Sequence, residues 1–215
     1  PYYSQFLPVL YEQIIQLCLH LIHQEHQSQF NSLYLNARPR IVLFHDYEST
    51  LNFYNQYRKS IIGIISNINY NYLGNYQPNA GLQLLQNIRA HNPTLPFLMQ
   101  SFDPEYRDIV SSSGGEFLIK DLSCIRAQMR KWLETEIGFG KFIFRGQDGE
   151  KLEEASTLIG FYHSLQNLPV PSFMYHLQTG QINSWLIAHT EIALYNYINS
   201  IPLDLDPVDI KQKII

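Results

Sequence analysis

The chain has 215 residues, with 15 Lys and Arg against 19 Asp and Glu, a formal charge of −4 and a pI of about 6.1. At 45% hydrophobic and 16% charged residues, with 15 Asn and 17 Gln supplying uncharged polarity, it reads as a packed globular protein and not as a disordered or fibrous one. No run of Lys or Arg offers an electrostatic footprint, and no stretch reaches the roughly 18 apolar residues of a membrane span. Nucleic acid and membrane are therefore excluded as first partners.

Residues 1–37 hold two acids and no Lys or Arg. Within them Leu7, Leu10, Tyr11, Ile14, Leu17, Cys18, Leu21 and Ile22 recur at three and four, the stripe of a long amphipathic helix. His20, His23 and His26 have a spacing that could share an ion, but His20 and His23 fall on the polar face with no Cys or Asp beside them, so no metal site is expected. Cys18 and Cys124 lie outside any CxxC framework, which predicts buried free thiols and a reducing, cytoplasmic compartment. The opening Pro1-Tyr2-Tyr3, without Met or a basic leader, implies a piece of a longer polypeptide.

From residue 38 to 137 short apolar runs alternate with amphipathic helices, the pattern of an α/β layer with a parallel sheet. The runs 41–44, 61–65, 97–99 and 117–119 are continuous, as in strands covered on both faces. Helices are predicted from Ser49 to about Tyr57, Ala80 to Ala90, Asp103 as cap through Ser112, and Ser123 to Glu136. Ser111-Ser112-Ser113-Gly114-Gly115 precedes a strand, so it reads as a helix stop and not as a phosphate cradle. Residues 138–215 form a small, mostly helical extension carrying five bases and eight acids. It has a strand at Phe142-Ile143-Phe144, a turn at Gln147-Asp148-Gly149, and helices from Ser156 to Leu168 and Ser184 to Ser200. His176 and His189 read as packed, hydrogen-bonded side chains near Trp185.

Working residues of a parallel α/β sheet gather at the carboxyl ends of its strands. Those ends hold His45-Asp46, Asn67, Ser101 and Lys120. In this order they resemble the receiver domains of two-component response regulators: Arg40 to Asp46 for the first strand and acidic pair, Gly63 to Asn67 for the phosphoacceptor strand, Leu95 to Ser101 for the hydroxyl strand, and Gly115 to Lys120 for the lysine strand. The resemblance implies a flavodoxin-like three-layer sandwich, with Phe117 as the aromatic that rotates on activation. Asn67 offers an amide where an aspartyl phosphate needs a carboxylate nucleophile. Only Asp46 remains of the acids that hold Mg²⁺, so no cofactor is expected. Lys120 is expected to pair with Asp46.

Asp46 and Asn67 are 21 positions apart, room for one helix and one strand, so the sheet is expected to have about four strands. A right-handed crossover would place the helices at Ser49 and Ala80 on one face, and the helix of residues 7–22 would cover the gap on the other. The stretch Tyr175-His176, then Asn183 to Glu191, resembles a segment that follows such degenerate receivers in large Bacteroidetes-type proteins. Those continue into a phosphoenolpyruvate synthase or pyruvate phosphate dikinase-like module. Together the resemblances imply a non-catalytic signalling or docking domain whose partner is a protein, another domain of the parent chain, or a second copy. An alternative is a Mg²⁺-dependent phosphatase of haloacid-dehalogenase type with Asp46 as nucleophile, although that family expects Asp where Glu48 stands.

Overall fold

A computed structural model describes residues 2–24, 39–146 and 148–215, excluding the side chains of residues 22–24, 71 and 72. The fold is α/β, with a parallel three-stranded sheet and, among the described residues, ten helices. The described residues divide into two compact units, residues 2–10 with 39–129 and residues 11–24 with those from 130 onward. These divisions differ from those expected at 37/38 and 137/138.

In the first unit, α2 (Tyr47–Tyr57) leads to β1 (Ile64–Asn67), a hairpin of β2 (Tyr70–Tyr72) and β3 (Asn75–Gln77), and α3 (Ala80–His91). Then come β4 (Phe97–Ser101), α4 (Tyr106–Ser112), β5 (Glu116–Ile119) and the start of α5 (Ile125–Thr135). The sheet order is β1-β4-β5, with Asn67 beside Gln100 and Ser101 beside Ile119. Strand β4 is central, and Phe97, Leu98, Met99 and Gln100 are all buried, as its continuous apolar run requires. Phe97 and Met99 join Tyr47, Tyr54, Leu84, Leu85, Ile88 and Val110 in one core, so α2 and α3 share a face of the sheet as the crossover argument expected. Leu98 and Gln100, one residue out of phase, face the other way.

The run Ile41-Val42-Leu43-Phe44 is not a strand. A continuous apolar run becomes a buried strand only where a ladder partner and covering layers receive it. Here Ile41, Val42 and Leu43 stay exposed and only Phe44 packs, against Phe53 of α2 at 5.0 Å between ring centres. The sheet therefore has three strands in place of about four. Between β1 and α3 the chain forms the β2–β3 hairpin, with Leu73 and Gly74 both at positive φ in its turn.

Helix α1 (Tyr2–Gln24) begins a turn and a half earlier than the stripe at Leu7 suggested. Its buried line is Tyr2, Phe6, Leu10, Gln13, Leu17 and Leu21, while Tyr11 of the predicted stripe is exposed. The turns that belong with the sheet are residues 2–10, not 7–22, because from Tyr11 onward the helix belongs to the second unit. Of the histidine triplet, the side chain of His23 and all of His26 lie outside the described residues. Cys18 and Cys124 are half-buried, not fully buried as expected.

The second unit holds a hairpin of β6 (Phe142–Arg145) and β7 (Lys151–Ala155), followed by α6 (Leu158–Asn167), α7 (Val170–Gln178), α8 (Gln181–Ala188), α9 (Ile192–Ser200) and α10 (Pro207–Ile214). Strand β7 escaped the sequence reading because Lys151, Leu152, Glu153 and Glu154 are exposed, leaving only Ala155 buried. The single helix expected from Ser184 to Ser200 is two, broken at Thr190, whose φ of 59° ends α8. Trp185 anchors this core: its ring stacks on Phe161 at 4.8 Å and on His189 at 3.9 Å, and its Nε1 donates to the Gly140 carbonyl at 3.0 Å. Gly138, at φ 91°, lies so close to the Trp185 backbone that a Cβ would sit 2.8 Å from its nitrogen. His176 is fully buried; its Nε2 accepts from the Arg145 amide at 2.8 Å and its Nδ1 donates to Gln181 Oε1 at 2.6 Å.

Candidate functional site

The carboxyl ends of β1, β4 and β5 are brought together by register alone: Asn67 and Gln100 are partners, and Lys120 follows Ile119 with its amide bonded to the Ser101 carbonyl at 2.7 Å. Gly81, at the start of α3, is packed so tightly on this edge that a Cβ would lie 1.9 Å from the Asn67 carbonyl oxygen. Only glycine permits that approach.

Onto this edge comes the first turn of α1. The Tyr2 hydroxyl donates to Gln100 Oε1 at 3.1 Å, and the Tyr3 hydroxyl donates to Asn67 Oδ1 in a short bond. Asn67 and Gln100 share a face of the sheet, so adjacent tyrosines reach adjacent amides. The Lys120 ammonium sits 5.1 Å from the ring centre of Tyr2, 5.4 Å from that of Tyr3 and 5.1 Å from that of Phe102. Phe6 stacks on Tyr2 at 5.6 Å. Aromatic faces around a half-buried ammonium contribute about 0.5–1 kcal/mol each. Burial lowers the Lys120 pKa and raises those of both tyrosines, Tyr2 the further, with the Asn67 bond partly opposing the rise at Tyr3.

The other expected site residues are placed differently. Asp46 is the N-cap of α2: its Oδ1 accepts from the Ser49 amide at 2.7 Å, and that bond holds its carboxyl below the usual range. It forms no ion pair with Lys120, whose ammonium lies among the rings. The cause is the missing strand at 41–44, which would have carried His45 and Asp46 to the sheet edge; His45 is exposed. Glu48 accepts from the Leu73 amide in the hairpin turn. Ser101 points out of phase with Gln100 and its Oγ accepts from the Asp103 amide at 3.1 Å, heading the turn into α4. Phe117 packs on the α2–α3 side with the Arg107 guanidinium 5.1 Å from its ring centre.

Of the expected residues, Asn67 and Lys120 each meet Tyr3, while Gln100, Tyr2, Tyr3 and Phe102 were missed. One signal for them was available: carrying the α1 stripe back by four gives Phe6 and Tyr2. Among the described residues, no three His, Cys, Asp or Glu side chains come together as a metal set, and no helix is long and apolar enough to cross a membrane. No family model matches this chain, and neither does any curated protein or solved structure. The fold and the edge define an α/β unit whose strand ends present amides and a lysine to aromatic rings of the same chain.

Proposed function

We propose that the first unit is a receiver-like domain of flavodoxin type that acts by docking in signal transduction and turns over no substrate. The observation that carries this reading is Asn67: the amide stands at the carboxyl end of a parallel strand where phosphotransfer needs a carboxylate, and its oxygen accepts the Tyr3 hydroxyl. Asp46, the remaining acid of the motif, serves as a helix cap. A surface for partners is offered by α4, β5 and α5, where Ile109 of α4 and Leu122 just before α5 are exposed apolar side chains. The partner class is a protein, another domain of a longer chain, or a second copy. The extension from residue 138 to 215 would link this domain to the phosphoenolpyruvate synthase-like module that its motif resembles.

Incubation with acetyl phosphate and Mg²⁺, followed by intact mass measurement, is expected to show no added phosphate. A phosphorylated aspartate would overturn the reading. Hydrolysis of an aryl phosphate that needs Mg²⁺ and disappears in Asp46→Asn would favour the haloacid-dehalogenase alternative instead.

A further inference from the structure

We infer that the carboxyl edge of the sheet is a recognition site for a segment bearing adjacent tyrosines, and that the first turn of α1 is its occupant in cis. The recognised element is small and specific: two neighbouring hydroxyls meet two neighbouring amide oxygens, Tyr2 on Gln100 and Tyr3 on Asn67, and the two rings with Phe102 enclose the Lys120 ammonium. Each half of the pairing needs the other. The Gln100 side chain is buried, so its oxygen is cut off from water and depends on a donor. Lys120, half-buried, receives π faces and not a carboxylate, which makes an aromatic ligand the better match.

The spacing narrows the ligand further. Tyr2, Tyr3 and Phe6 lie on the first two turns of a helix, with Tyr2 and Phe6 one turn apart and stacked. The ligand class is therefore a helical segment reading Tyr-Tyr followed three residues later by an aromatic. A tethered segment has an effective concentration of order mM, so the cis copy keeps a partner's segment out until α1 is loosened. This extends the docking reading of the same unit to the carboxyl edge of its sheet and rests on that reading. The phosphodonor experiment tests that reading separately, because it reports on Asn67 and Asp46 chemistry and not on what the edge binds.

The test uses the full chain carrying Tyr2→Ala and Tyr3→Ala, and a fluorescent peptide of residues 2–10 as probe. The peptide is expected to bind this variant at least tenfold more tightly than the unaltered chain. Lys120→Gln in the variant, or alanine at both tyrosines of the peptide, should remove most of that gain. If the double alanine variant loses its cooperative melt, Tyr2→Phe with Tyr3→Phe takes its place, retaining the rings while releasing both amides, and a smaller gain of at least threefold is expected. Equal binding to altered and unaltered chains, or no binding to a cooperatively folding variant, would overturn the inference.

Discussion

Acid should weaken the second unit between pH 6.5 and about 4, through His189. Its ring lies flat on Trp185, with burial driving its pKa down from 6.5 to about 4 against the opposing effect of a bond to the Gly140 backbone. The folded value lies below the unfolded one, so the stabilisation is whole above pH 6.5, falls as pH drops toward 4, and changes no further below that. A gap of about 2.5 pH units at about 1.36 kcal/mol each gives about 3 kcal/mol lost across the window. His176 shifts the same way, because burial disfavours its charge and its Nε2 already accepts from the Arg145 amide. The lowered carboxylates Asp46, Asp121 and Glu154, the last at about 2, lose their stabilisation at lower pH and leave the window to the histidines. Urea melts at pH 7.5, 6, 5 and 4 measure the slope. His189→Phe keeps an aromatic ring on Trp185 but cannot titrate: it should cost about 1 kcal/mol at pH 7.5 for the lost polar contact and flatten the slope by more than half. An unchanged slope in His189→Phe would refute the reasoning.

Two further substitutions probe the site's frame. Gly81→Ala drives a Cβ into the Asn67 carbonyl and should cost about 1–3 kcal/mol in urea melts of the first unit, whereas a loss under about 0.5 kcal/mol would mean that α3 does not seat on β1 as described. Arg89→Met should cost about 2 kcal/mol, because the guanidinium donates to the carbonyls of Gly114, Asn92 and Leu95 and ties the end of α3 to the turn before β5; hydrogen exchange at Gly115 and Glu116 should rise with it.

The parallel sheet was legible because β4 is buried on both faces and carries an unbroken apolar run at Phe97 to Met99. The same signal misled at Ile41 to Phe44, since composition specifies a strand only in the presence of a neighbour and covering layers, and neither is written in the run itself. Asn67 and Lys120 could be placed because strand ends are set by local runs. Tyr2 and Tyr3 could not, because their partners are 98 and 64 positions away and nothing local announces the pairing. Asp46 shows the reverse case: an acidic residue after an apolar run reads as a site residue, yet with Ser49 three positions on it is equally a helix cap, and the cap is what forms.

Closure of the sheet edge by Tyr2 and Tyr3 is tested most directly by the rate at which a water-soluble acylating ester labels Lys120, compared with exposed Lys59. Burial lowers the Lys120 pKa, which raises its reactive neutral fraction, so slow labelling can come only from occlusion. Lys120 should label at least tenfold more slowly than Lys59 in the unaltered chain and should speed up selectively in the chain with Tyr2→Ala and Tyr3→Ala. Labelling of Lys120 at the rate of Lys59 in the unaltered chain would contradict a closed edge.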